Sequence, residues 1–252
     1  MNRSAAVHPH NRGMSGEFRR AVTLGVEVVA RGHRALDDLV FGATCAGCDA
    51  PGSPLCDGCR DYLAALPGVQ TSRGGGAPVI ACGPYQGTLA RLVVAYKDRG
   101  VRSLGAQLAE AAGRAAAGLW DPGTPVALVP VPSSRSAVRR RGYDHMREFT
   151  RLLARDLTAR GTPARCVPRL ERARAVHDQA DLGHAERLAN QRGSMRWRGS
   201  AVATPVVIVD DIVTTGATLN EACRAVGAGG GTVVRAIVVA HTPLRRGTPT
   251  LP

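Results

Sequence analysis

The chain is poor in lysine, in aromatic residues and in long apolar runs. Of its 33 basic residues only Lys97 is lysine, and Phe, Trp and Tyr together make up 4%. So few rings provide no evident stacking platform for single-stranded nucleic acid. No Gly-Lys-Ser/Thr triplet occurs, which argues against a Walker-type nucleotide site. Met1 to Gly16 is polar, and the apolar residues that follow are interrupted by Glu27, Arg31, Asp37 and Asp38. The sequence therefore predicts neither an export signal nor a membrane span, and a cytoplasmic protein is the expectation.

Charge and length are what the chain does have. Its 252 residues suffice for one sizeable α/β core plus a small appendage. With 33 basic and 20 acidic residues the net charge is +13, which predicts attraction to polyanions, whether nucleic acid or phosphorylated metabolites.

Residues 206 to 218 read Val-Val-Ile-Val-Asp-Asp-Ile-Val-Thr-Thr-Gly-Ala-Thr. Four β-branched residues in a row suit a strand buried on both faces of a parallel sheet, and ligands gather at the carboxyl end of such a strand. Asp210 and Asp211 lie there. The turn Thr214, Thr215, Gly216, Ala217, Thr218 offers backbone N–H groups and hydroxyls ahead of a helix, an arrangement that holds a phosphate dianion. Carboxylates beside a phosphate cradle repel phosphate unless they face hydrogen-bond donors or a cation; ribose hydroxyls and magnesium both fit. The competing reading is a buried strand whose aspartates cap the next helix. The stretch resembles the signature of type I phosphoribosyltransferases. That resemblance implies binding of 5-phosphoribosyl-1-pyrophosphate, with the carboxylates on the ribose hydroxyls and the loop on the 5-phosphate.

A second motif is Cys45-x2-Cys48-x7-Cys56-x2-Cys59. Four thiolates so spaced make a tetrahedral zinc site in a small, turn-rich module. Two disulfides are the competing reading. Cys82, Cys166 and Cys223 lie in apolar contexts and read as small core residues.

Residues 1–35 read as a basic extension with one helix over 17–33, residues 36–66 as the zinc module, and 67–78 as a linker containing Gly74-Gly75-Gly76. A domain over 79–252 follows. Because the linker separates two cores, chelation is expected to unfold the module and leave the larger domain folded. Within that domain strands are predicted at 79–82, 126–130, 164–170, 206–209 and 233–239, and helices at 88–97, 103–118, 143–160 and 218–227. Such alternation means a mostly parallel, doubly wound sheet. Residues 172–200 are charged and weakly periodic, and read as a loop with a short helix over the active site.

A four-cysteine module ahead of a phosphoribosyltransferase signature resembles the ComF family over roughly residues 36 to 241. Further landmarks are Leu39-Val40-Phe41, Tyr96-Lys97-Asp98-Arg99-Gly100, Val129-Pro130-Val131-Pro132, Arg139-Arg140-Arg141-Gly142-Tyr143, Gln179, Glu186-Arg187 and Asn190-Gln191-Arg192-Gly193. The family typically reads Arg-Gly-Phe-Asn-Gln where this chain has Arg141-Gly142-Tyr143-Asp144-His145. The resemblance implies a type I phosphoribosyltransferase fold with a zinc-ribbon-like module, and magnesium-dependent transfer to an unidentified, nucleobase-like acceptor. It also admits single-stranded DNA or a DNA-uptake helicase as partner, and an oligomer.

Transfer at the ribose anomeric carbon needs a second phosphate cluster for the departing pyrophosphate. Ser133 and Ser134, after the strand ending at Val129, could supply donors, with Arg139 and Arg141 as clamps and Lys97 as a further phosphate partner. Asp210 and Asp211 would position magnesium. No general base stands out; His177 and His184 flank Gln179 in the 172–200 loop. Three readings stay open: a phosphoribosyltransferase, a non-catalytic phosphoribosyl pyrophosphate sensor, and a nucleic-acid accessory of DNA uptake.

Overall fold

The computed structural model describes residues 44–72, 76–173 and 191–243. The helix expected at 17–33 and the residues Leu39 to Phe41, His177, Gln179, His184, Glu186, Arg187 and Asn190 lie outside them.

Six strands form the main sheet: β1 (Val69–Thr71), β2 (Val79–Pro84), β3 (Val126–Pro130), β4 (Ala164–Cys166), β7 (Val206–Val213) and β8 (Val233–His241). Their order is β1-β2-β8-β7-β3-β4, and every pairing is parallel except β1 with β2. Two further strands, β5 (Leu170–Arg172) and β6 (Met195–Trp197), pair antiparallel in a separate sheet. Among the described residues the helices are α1 (Asp57–Ala64), α2 (Gly87–Lys97), α3 (Leu104–Ala115), α4 (Arg135–Arg141), α5 (His145–Ala159) and α6 (Ala217–Ala228).

Alternation along the central strand divides the core. Val207 and Val209 of β7 face a cluster with Leu92 of α2, Leu108 of α3 and Phe149 of α5, whereas Val206 and Ile208 face Leu219 and Ala222 of α6 together with Leu170 and Met195 of the small sheet. Val206 to Val209 are wholly buried, each such side chain contributing about 1.5 to 3 kcal/mol. The chain is thus an α/β protein with a mostly parallel sheet covered on both faces, as the alternation of elements predicts.

Several boundaries differ from expectation. The strand predicted over 164–170 splits: Pro168, which has no N–H to give a ladder, lies between β4 in the main sheet and β5 in the small one. Residues 195–197, read as part of a loop, form β6, and Met195 is buried because it packs under α6. The helix expected from 143 begins at His145, because the Asp144 side chain accepts from Arg147 N at 3.2 Å and caps it. Before it, Arg135–Arg141 form a helix of their own, closed by Gly142 at φ 78°. The stretch 67–78, read as a linker, contains β1, which lies against β2. Nor does that stretch separate one core from another, since Cys45, Leu55, Cys59 and Leu63 share one apolar cluster with Leu89, Leu92 and Leu108.

Candidate functional site

β7 runs on past Val209, so Asp210 and Asp211 are strand residues, at the end where β3 delivers Pro130 alongside Val209. Continuing the alternation, Asp210 falls on the face of Val206 and Ile208, and Asp211 on the face of Val207 and Val209. The contacts of Asp211 agree. Its Oδ2 lies 2.8 Å from Lys97 Nζ at the end of α2 and 3.4 Å from His145 Nε2 at the start of α5. Oδ1 accepts from Ile212 N at 2.7 Å, and Asp210 Oδ1 accepts from Asp211 N at 2.9 Å.

A ring of side chains passes through Asp211, closed by the backbone between Lys97 and Asp98. Arg141 Nη1 lies 3.0 Å from His145 Nδ1, and Arg141 Nη2 donates to Asp98 Oδ1 at 3.0 Å, which returns the chain of contacts to the neighbour of Lys97. A guanidinium only donates, so this contact is a hydrogen bond only with Nδ1 as the acceptor, the tautomer whose ring proton sits on Nε2 and faces Asp211. The Ser133 hydroxyl lies 3.3 Å from the same Nδ1 and donates to Asp144 at 3.1 Å. The Arg141 side chain is 8% exposed and its Nε is buried with no partner among the described residues.

These environments push the two carboxylates apart. Burial disfavours charge on Asp211, yet His145 and Lys97 outweigh it and hold its carboxyl well below the usual carboxylate range. Asp210 is 7% exposed, and burial, with the charge of Asp211 added, raises its carboxyl far above that range. Burial opposes the charge of Lys97, but Asp211 overrides it and raises the ammonium above its ordinary value.

After β7 the chain turns through Thr214 and Thr215 to Gly216, which is left-handed at φ 82° and caps α6. A left-handed turn there is cheap for glycine and costly for other residues, and it leaves the first N–H groups of a twelve-residue helix at the loop. Ala217 N donates to Thr215 Oγ1 at 3.4 Å. On the far side Arg172 Nε donates to Pro132 O at 3.0 Å, tying the β3 loop to the small sheet. Ser134 is occupied as a helix cap, accepting from Ala137 N. Arg139 is exposed and no side-chain partner appears for it among the described residues, so of the two arginines expected as clamps only Arg141 is built into the ring.

His145 and Asp98 joined no sequence-level assignment. His145 stands 66 positions from Asp211, and only the fold brings them together. Its one local signal was its place directly after a capping Asp144, at the departure from the Arg-Gly-Phe-Asn-Gln pattern.

The four cysteines converge separately. Sγ atoms of Cys45, Cys48, Cys56 and Cys59 all lie within 4.8 Å of one another, and Cys48 and Cys56 are 3.5 Å apart, unbonded. Zinc–sulfur bonds of roughly 2.3 Å place tetrahedral sulfurs roughly 3.8 Å apart, so the cluster fits that ion. Burial works against a Cys45 thiolate, but N–H groups of Cys56, Gly47 and Cys48 draw it down to about 6. A side chain at Gly47 would put its Cβ 2.8 Å from Cys59 Sγ, which is why the knuckle needs glycine. Arg91 of α2 pairs with Asp49 at 2.7 Å on the exposed edge between the module and the larger body. Of the other cysteines Cys82 is core, its thiol pushed up to about 12 by burial, while Cys166 and Cys223 are half-buried.

The family model for the phosphoribosyl transferase domain matches residues 202–250. The match takes in β7, the Thr214–Gly216 turn, α6 and β8, the segment that carries the two carboxylates and the glycine-capped turn. No curated protein matches the chain. Among the described residues no helix is long and apolar enough to cross a membrane.

Proposed function

We propose that the chain is a cytoplasmic phosphoribosyltransferase of the ComF type, which binds 5-phosphoribosyl-1-pyrophosphate with magnesium and transfers the phosphoribosyl group to a nucleobase-like acceptor. The observation that carries this reading is the β7–α6 junction, where two carboxylates in opposed environments stand before a left-handed glycine cap, inside the segment matched by the family model.

In this reading Thr214, Thr215, Gly216, Ala217 and Thr218 hold the 5-phosphate through backbone N–H groups and hydroxyls. Asp210 and Asp211 accept from the ribose hydroxyls. Arg141 and Ser133 serve the departing pyrophosphate, and Lys97 is close enough to trade Asp211 for a phosphate oxygen. Magnesium suits Asp210, a hard oxygen donor, and when bound it supplies positive charge to the leaving pyrophosphate. The bond from the anomeric carbon to pyrophosphate breaks as the bond to the acceptor forms. Cys45, Cys48, Cys56 and Cys59 hold a structural zinc.

Purified protein mixed with phosphoribosyl pyrophosphate, magnesium and a panel of nucleobases should release pyrophosphate with at least one of them. Binding without release from any base would favour the sensor. The DNA-uptake accessory draws support from another surface: exposed Arg151, Arg155 and Arg165 line a groove of about 660 Å³ beside Thr158 and Cys166, and Arg147 extends the row along α5. No acidic partner appears for these four arginines among the described residues, as suits a phosphate backbone.

A further inference from the structure

Asp211 has three donors of unequal mobility. Ile212 N belongs to its own strand. Lys97 reaches it from the last residue of α2 on a flexible stem, and its side chain is 32% exposed, so an arriving phosphate can draw the ammonium away. His145 cannot follow. It is 3% exposed, its Nδ1 is held by Arg141, its carbonyl accepts from Tyr96 OH at 2.9 Å, and its ring stands edge-on to Tyr96 at 6.2 Å.

We propose that His145 is the positioning residue of the site: its Nε2–H keeps the Asp211 carboxylate aimed when a ligand phosphate takes Lys97. This rests on the phosphoribosyl pyrophosphate reading. A buried carboxylate stripped of its cation is costly unless another donor remains. A neutral N–H meets that need while leaving Oδ2 a lone pair for a ribose hydroxyl, which a second cation in the same place would compete for. Arg141 acts one step back, by holding Nδ1 as the acceptor and so fixing the proton on Nε2. Glutamine could do the same work, since its amide presents a donor and an acceptor in place of the two ring nitrogens; leucine could not.

Two measurements on the full zinc-loaded chain decide it. Nitrogen-15 spectra of histidine-labelled protein, with His145 assigned by its disappearance in His145→Gln, should show a neutral ring protonated on Nε2. A proton on Nδ1 would overturn the proposal whether or not His145→Leu folds. Calorimetry with magnesium and phosphoribosyl pyrophosphate should then show binding weakened about 10- to 150-fold in His145→Leu and most of that loss recovered in His145→Gln, at equal zinc content. Wild-type binding that persists undiminished in His145→Leu, or is lost equally in both variants, would overturn the role of His145 alone. Absence of binding by the wild type would bring down the phosphoribosyl pyrophosphate reading, and this role with it.

Discussion

Lys97 Nζ lies 2.8 Å from Asp211 Oδ2, so the only lysine of the chain is the counter-ion of one of the two strand-end carboxylates. Before any ligand arrives, a cation already stands in the site. The pair is largely withdrawn from water, and Lys97→Met would leave Asp211 relying on His145 and its own backbone.

That substitution should lower the stability of the ligand-free protein by about 1 to 2 kcal/mol, the scale of a charge-assisted hydrogen bond at a partly exposed group. It should also weaken phosphoribosyl pyrophosphate binding. Denaturant titration reads the first and calorimetry the second; a variant unchanged in both would mean that the pair is incidental.

Zinc removal tests the junction between the cysteine module and the larger domain. About one zinc per chain is expected on Cys45, Cys48, Cys56 and Cys59. Sequence alone suggested that chelation would leave the larger domain folded, but Leu55, Cys59 and Leu63 pack in one cluster with Leu89 and Leu108. Chelation should therefore lower the melting temperature of the whole chain in one transition. Two transitions, with the upper one unmoved, would restore the picture of separate cores.

Asp210 makes the ligand-free protein sensitive to pH. Burial, followed by the charge of Asp211, raises its carboxyl to about 8, against 3.8 for the unperturbed group. A folded state that holds a proton the unfolded state has lost is stabilised by acid, so this contribution is complete below about 4 and fades as pH rises from about 4 toward 8. Subtracting the stability profile of Asp210→Asn from that of the wild type should isolate a component that falls over this window. A component that rises there would reverse the assigned environment.

Legibility in the sequence followed how local each signal was. Val206 to Thr218 could be read because burial on both faces, paired carboxylates and a hydroxyl-glycine turn are contiguous, and the cysteine cluster because its four thiols sit at fixed short spacings. The covered parallel sheet followed from the alternation of elements. What escaped was set by contacts distant in sequence. Three residues of β1 become a strand because β2 lies beside them, β6 is held by β5 and α6, and His145 became a site neighbour only through the packing of α5 against the sheet. Arg139 and Arg141 looked equivalent in a basic run, yet the turn of α4 sends one to solvent and the other into the ring.

The central claim is that Asp210 and Asp211 bind the ribose of phosphoribosyl pyrophosphate, and calorimetry of the magnesium complex with wild type, Asp210→Asn and Asp211→Asn tests it most directly. Asn keeps the shape of each side chain and removes the carboxylate oxygen that the complex would use, so fold and zinc content should hold. Loss of one hydrogen bond to a charged partner, about 1.5 to 3 kcal/mol, should weaken binding about 10- to 150-fold in each variant. Unaltered affinity in both variants, or no binding by the wild type, would contradict the account.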